Sequence, residues 1–275
     1  MFVHLENRAL LRVSGSDAET FLQGQLSNDI KQLNISGVQL NAYCQHQGKI
    51  LALFWVMKYE DSFLLSFPLD LLETIKPRLQ MFVIMSDVTI DDVTSSYLQI
   101  GTLDEKNQNA YVINDKLSLI IDDKKNSNKF NMDSLDFWDM ACIESSLPEI
   151  YLETSEKLVP QMLNLDIDEI GVNFSKGCYP GQEVVARLHY LGSAKRRLFT
   201  FKSEAELNIG DSLYCASSKT AKVRGDRYKG SGIILNKVKF NSLFHCLATL
   251  DVDLIDNEIT LNNEHGPILK IIKNE

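Results

Sequence analysis

The chain has no excess of positive charge: 28 lysines and arginines stand against 37 aspartates and glutamates, for a net charge of −9. A general nucleic-acid binder would show a basic face, so direct nucleic-acid binding is not expected. Lys195-Arg196-Arg197 reads either as a local basic patch or as a solvated strand entrance. The five cysteines include no CxxC pair, and an odd number of scattered thiols fits a reducing compartment. No zinc or iron–sulfur ligand set is visible from spacing, so no metal site is expected. Met1 to Leu11 has neither the basic start nor the long apolar core of a signal peptide. The longest apolar run, Ile50 to Met57, is far too short to span a bilayer. A cytoplasmic protein without membrane contact is expected. Gly225 to Gly232 lacks the spacing and the Lys-Ser/Thr ending of a phosphate loop, so Asp226 and Arg227 read as part of a turn between strands.

What is present is an ordinary globular composition, 44% hydrophobic and 24% charged over 275 residues, long enough for two or three compact units. Arg8 to Ser14 reads as a strand ending at Gly15, followed by a helix from Ala18 to Leu26 capped by Ser16 or Asp17. Gly24 inside that helix marks either a close approach by another segment or ligand, or merely its C-terminal end. Val38 to Cys44 and Lys49 to Met57 form a hairpin around Gln45-His46-Gln47-Gly48. Phe63 to Phe67 is a further strand. Leu69 to Gln80 is an amphipathic helix with Leu71, Leu72, Ile75 and Leu79 inward, kinked or stopped early by Pro77. Val83 to Ile90, Tyr97 to Leu103 and Ser118 to Ile121 read as strands. Asp133 to Glu144 is a helix with Phe137, Trp138, Met140, Ala141 and Ile143 on its apolar face. This mixture is the pattern of ferredoxin-like α+β subdomains. After Arg197 short alternating segments suggest a small all-β barrel or sandwich, giving a module over 1–197 and a β-domain over 198–275.

The stretch that organises the chain is Lys176-Gly177-Cys178-Tyr179-Pro180-Gly181-Gln182-Glu183. Tyr179-Pro180-Gly181 reads as a tight turn, and Gln182 to Leu191 as a short helix with Glu183 and Arg187 paired one turn apart. A thiol just before a helix N-terminus and beside an ammonium is where a cysteine becomes reactive. The alternative is an inert thiol in a surface turn. Cys44, Cys142, Cys215 and Cys246 lie among apolar neighbours and read as small core residues. His189 follows at a distance that invites a Cys–His pairing, but no third orienting group is evident and a surface histidine is the better reading. Glu144, ending an apolar helix, is either a buried carboxylate facing a ligand or a solvent-facing residue.

Taken together these stretches resemble the folate-binding, T-protein-like family of iron–sulfur cluster assembly factors, the YgfZ group. Lys176 to Glu183 matches that family's K-G-C-Y-x-G-Q-E signature at every fixed position. Phe21 to Asp29 resembles its F-L-Q-G-Q-L-T-N-D stretch, with Ser27 for threonine. Tyr43-Cys44, Gly48-Lys49, Pro160-Gln161 and Asn164-Leu165 follow in the expected order. The resemblance covers the chain to about Arg197, and the β-rich end matches in general character.

The resemblance implies a fold like the glycine-cleavage T-protein: two interleaved ferredoxin-like subdomains and a C-terminal β-barrel around a cavity that receives tetrahydrofolate. It implies folate-dependent support of iron–sulfur enzymes, including radical enzymes that modify tRNA, or of their assembly proteins. Cys178 is then the functional thiol and Lys176 its cationic neighbour. Gly177, Tyr179, Gly181, Gln182, Glu183 and Arg187 shape the presenting turn and helix. Folate contacts are expected from Glu144, Asn28, Asp29 and Gln25. Two departures from the T-protein bear on chemistry. Its hairpin carboxylates correspond to Leu51 and Ala52, which can neither relay a proton nor balance a developing charge. A conventional aminomethyltransferase is therefore not expected, a folate-dependent one-carbon transferase with another base being the alternative. Ile143-Glu144-Ser145-Ser146-Leu147-Pro148 resembles the I-E-A-G-x-P segment whose glutamate meets the pterin, with Ser146 in place of glycine.

Overall fold

The computed structural model describes residues 1–104, 107–218 and 230–272; the turn expected around Asp226 and Arg227 lies outside them. The chain opens with β1 (Phe2–His4), then β2 (Arg8–Ser14) and α1 (Ala18–Gln25). The expected hairpin follows as β3 (Gln39–Cys44) and β4 (Ile50–Tyr59), then β5 (Ser62–Pro68), α2 (Leu72–Gln80) and β6 (Thr89–Asp92). Next come β7 (Tyr97–Leu103), β8 (Tyr111–Val112), β9 (Leu117–Asp123), β10 (Met132–Asp133), α3 (Leu135–Glu144) and α4 (Gln182–Leu191). The last strands are β11 (Arg196–Ser203), β12 (Ser212–Tyr214), β13 (Gly232–Phe240), β14 (Leu243–Asp251), β15 (Ile259–Leu261) and β16 (Ile268–Ile272).

The first ten strands form two five-stranded sheets, ordered β3-β4-β5-β2-β6 and β10-β1-β7-β9-β8. Because β1 belongs to the second sheet while β2 to β6 build the first, the two α+β subdomains are interleaved. The remaining strands close into a barrel, β11-β14-β13-β12-β15-β16. Strand alternation explains how that barrel is attached. Cys246, Ala248 and Leu250 of β14 fill its interior, whereas Leu247 between them packs into the core of the first sheet with Leu198, Leu235 and Val238.

Four local expectations are corrected. Neither candidate cap serves α1: the Asp17 carboxylate accepts from the amide of Asp87 (2.9 Å) and Ser16 donates to the Asp87 side chain (2.8 Å). Pro77 does not stop α2, which continues to Gln80. The strand expected from Val83 is confined to Thr89–Asp92, because Ile84 and Met85 stand out in solvent in the preceding turns. Phe137 faces outward on α3, edge-on to Phe240 of the barrel at 5.6 Å, while Trp138, Cys142 and Ile143 turn inward.

Gly24 lies within α1, where an added Cβ would meet nothing within 4 Å. Steric need does not hold glycine there. Gly24→Ala is therefore expected to raise stability by about 0.5–1 kcal/mol, read as a higher denaturant midpoint. An unchanged or lowered midpoint would contradict this account of the helix.

Candidate functional site

The signature loop is fastened at three points. Asn173 donates its amide to the Ser27 carbonyl (3.0 Å), and its side-chain oxygen accepts the amides of Ser175 and Lys176 (2.9 Å each). Ser27, from the other end of the chain, donates its hydroxyl to the Gly171 carbonyl at 2.6 Å. Lys176 then sends its ammonium across to the carbonyls of Gln23 (2.6 Å), Leu26 and Asn28 (3.0 Å). The Gln23 and Leu26 carbonyls belong to the C-terminal end of α1, where backbone acceptors lack helical partners and a cation meets the negative end of the helix dipole, and Asn28 lies just beyond it. Burial lowers the Lys176 ammonium to about 8, with nearby Asp29 opposing the shift; the three carbonyls favour the charged form as well. The Tyr179 ring lies under this ammonium at 5.3 Å and is itself buried.

The third fastening is glycine on glycine. Gly181 takes φ +83° at the N-cap of α4, and a Cβ there would fall 2.5 Å from the Gln45 carbonyl and 2.7 Å from the Gly48 Cα. Gly48, at φ +74°, lies under Val184 in return. The β3–β4 turn and the start of α4 are thus pressed backbone to backbone. From this support Cys178 projects into solvent, while Cys44, Cys142, Cys215 and Cys246 are all buried. Burial pushes the Cys44 thiol up to about 12 and raises Cys142 and Cys246 as well, so these are poor nucleophiles. Glu183 and Arg187 form the expected one-turn ion pair on the exposed face of α4. His189 instead stacks on Phe174 at 3.8 Å.

Among the residues expected to contact folate, the structure brings Gln25, Asn28 and Asp29 to the signature loop but not Glu144. Asn28 donates to the carbonyls of Leu40 (3.1 Å) and Ile170 (3.4 Å), and its side-chain oxygen accepts from the Asp29 amide. Asp29 accepts from the Lys31 amide and from the side chains of Gln23 and Gln32. Gln25 keeps a buried carboxamide oxygen without a partner. Glu144 is exposed at the end of α3, close enough to the barrel residue His245 to act on its titration. The buried-carboxylate reading of Glu144 is therefore corrected. Ser146 adopts φ +53°, the left-handed conformation that glycine takes freely, so a serine here takes a backbone shape usually left to glycine.

A carboxylate that is buried near this segment is Glu149, paired with Arg8 at 2.5 Å. Arg8 also stacks over Trp55 at 3.8 Å and donates to Ser66 at 2.7 Å, and the Glu149 amide donates to Asn236 of the barrel at 3.0 Å. No local sequence signal marks this pair, since its members come from distant parts of the chain. Asp139 lies in the same cluster. Burial, then Asp136 and Glu149, raise its carboxyl to about 7, with Arg8 opposing. A carboxyl raised on folding contributes most below its ordinary value and loses that contribution as pH climbs toward the folded value. Asp139→Asn cannot ionise, so it is expected to exceed the parent protein by on the order of 2 kcal/mol at pH 8 and to lose the advantage near pH 4. Urea midpoints across that range provide the measurement; a pH-independent difference would exclude the ionisation.

A cavity of about 250 Å³ lies between α2, β4 and the segment after α3, bounded by Leu51, Thr74, Ile75, Arg78, Leu152 and Ser155, with Glu156 beside them. The β3–β4 register shifts between Tyr43, opposite Ala52, and Cys44, opposite Ile50. Leu51 is the extra residue of that bulge, which turns it out of the ladder and into the cavity wall. Ala52 is fully buried.

No family model matches the chain. An uncharacterized protein of Haemophilus influenzae is 33% identical over 220 residues, covering 77% of this chain and 78% of that one. The tRNA-modifying protein YgfZ of Colwellia psychrerythraea is 27% identical, covering 98% and 88% of the two chains. That of Aliivibrio fischeri is 26% identical, covering 93% and 85%. The chain belongs to the YgfZ family. Its YgfZ-type architecture matches the crystal structure of glycine cleavage system aminomethyltransferase T from Bartonella henselae with a TM-score of 0.71. At 11% identity, over 99% of this chain and 84% of that one, the likeness is one of fold. Arg196 and Arg197 of this family member are engaged within the protein, with Asp251 (2.8 Å) and Asp166 (2.5 Å) respectively, so the basic trio is not a free patch. No helix among the described residues is long and apolar enough to cross a membrane.

Proposed function

We propose that this protein is a tetrahydrofolate-binding accessory factor that supports assembly or repair of iron–sulfur enzymes, including radical enzymes that modify tRNA, with Cys178 as its working thiol. The observation that carries this reading is the presentation of Cys178: exposed, on a loop fixed by Lys176 and Gly181, while the other four cysteines are buried. Relatives carrying the name tRNA-modifying protein support the client class. Lys176 serves as the anchor of this loop, its ammonium engaged by three carbonyls. One thiol supplies one cluster ligand, so further ligands would come from a client.

For folate the fit is partial. The unpartnered carboxamide oxygen of Gln25 can accept from a ring N–H, whereas Asn28 and Asp29 have spent side-chain capacity on protein groups. The cavity beside Leu51, about 250 Å³, is smaller than the roughly 300–1,000 Å³ typical for a drug-sized ligand and would take one part of the molecule. Bound folate would supply a reduced pterin able to carry one-carbon groups. Leu51 and Ala52 offer no acid or base for transferring such a group, which weighs against an aminomethyl transferase. Complementation of a deletion strain by Cys178→Ala, together with calorimetric titration of tetrahydrofolate, tests the two halves separately. Full complementation would remove the thiol from the function, and absence of binding would remove the folate.

A further inference from the structure

We propose that the cavity between α2 and β4 recognises the carboxylate of a small ligand, with Arg78 as the cation. Thr74 and Arg78 stand one helical turn apart on α2. Ile75 and Leu79 of that helix are buried in the core, which fixes α2 and sets Arg78 at the core margin. Among the described residues no carboxylate pairs with the half-buried Arg78 guanidinium, which lines the cavity. Tyr43 is 1% exposed and stacks on Phe54 at 5.9 Å. Burial raises the Tyr43 phenol, while the charge of Arg78 and its hydrogen bond to the phenol oppose the shift, so Tyr43 helps hold the guanidinium that lines the cavity.

The remaining polar groups narrow the ligand class. Thr74 donates its hydroxyl to the Leu71 carbonyl (2.9 Å) and Ser155 to that of Leu51 (2.8 Å). The Arg78 guanidinium is therefore the donor left to a ligand. A guanidinium is a planar fork suited to a carboxylate, and Leu51, Ile75 and Leu152 offer apolar walls for the body that carries it. The exposed Glu156 side chain adds a like charge that opposes any anion. The glutamate tail of tetrahydrofolate has the required chemistry, and in that form the proposal rests on the folate reading. A free aromatic or aliphatic carboxylic acid would meet the same donors. Tyr43 and Leu51 also flank the turn that presses on Gly181, so an occupant would rest against the hairpin that supports the Cys178 loop.

Isothermal titration of the full chain with p-aminobenzoylglutamate, a tetrahydropterin lacking the tail, and tetrahydrofolate tests this. The tail fragment is expected to bind, to weaken about tenfold or more in Arg78→Leu, and to weaken less in Tyr43→Phe, which keeps the aromatic stack but removes the hydroxyl that positions Arg78. Arg78→Lys should fall between, and Glu156→Gln should bind more tightly. Matching thermal melts of the variants exclude a folding defect. If tetrahydrofolate binds the parent and Arg78→Leu equally and the tail fragment does not bind, the proposal is overturned while the folate reading stands. If the tail fragment binds in an Arg78-dependent way and tetrahydrofolate does not, the folate reading fails and the carboxylate site remains. Failure of every carboxylate probe to bind the parent protein overturns the site.

Discussion

Cys178→Ala is expected to abolish support of iron–sulfur-dependent tRNA modification while leaving the protein folded. The side chain is exposed and enters none of the hydrogen bonds that fasten its loop, so the stability change should stay within about 0.5 kcal/mol. The functional loss should be large because no other thiol can take over. Cys44 and Cys142 are fully enclosed, and burial raises both, which suppresses the thiolate that any metal or disulfide chemistry requires. Cys178→Ser should fail equally, since a hydroxyl keeps the size but not the ligand or redox character of sulfur. Modified-nucleoside levels in a deletion strain, read beside a thermal melt of each purified variant, separate function from folding. On the native parent protein, iodoacetamide should label Cys178 first; rapid labelling of a buried cysteine would contradict the assignment.

Gly181→Ala should be the most damaging small substitution in the loop, at a position with no part in any proposed chemistry. Two effects add. A φ of +83° is strained for any residue bearing a Cβ, at about 1–3 kcal/mol. The new methyl would also sit 2.5 Å from the Gln45 carbonyl and 2.8 Å from the Gly48 amide nitrogen, and backbone cannot yield as a side-chain tip would, adding about 1–3 kcal/mol of overpacking. A loss of about 3 kcal/mol or more is expected, read from urea unfolding. Gly177→Ala is the control: a Cβ there meets nothing within 4 Å, and stability should hold. Equal losses at the two glycines would refute this account of the turn. Retained stability in Gly181→Ala would mean that the hairpin and helix can part.

The elements with strong local signals were readable before any coordinates. β2 ends where Gly15 interrupts it, and α4 begins directly after the Pro180-Gly181 turn. The α+β units and the β-rich end likewise follow from the order of patterns, whereas the T-protein-like arrangement comes with the family resemblance. What was not readable depends on partners far along the chain. Lys176 beside Cys178 reads as an activating cation, yet its ammonium answers to α1, about 150 residues earlier. Glu144 and Glu149 flank Pro148, and periodicity alone cannot tell which carboxylate an arginine at position 8 will bury. The apolar run from Val83 invites a strand assignment, but part of it stands exposed in turns. The Tyr43 hydroxyl and Arg78 meet from two separate elements, and no spacing rule connects them.

The interleaving of the two sheets sets a timetable for synthesis. β1, made first, pairs with β7 and β10, so its sheet stays open until residue 133 has left the ribosome. The Lys176 tether spans 148 to 153 residues to its acceptors, so the Cys178 loop has nothing to seat on until α1 is in place. Contacts of such long range form slowly. The nascent protein therefore passes through a stage in which Cys178 is already made but its loop is not yet held, its exposure then set by the unfinished chain around it and not by the turn that later presents it.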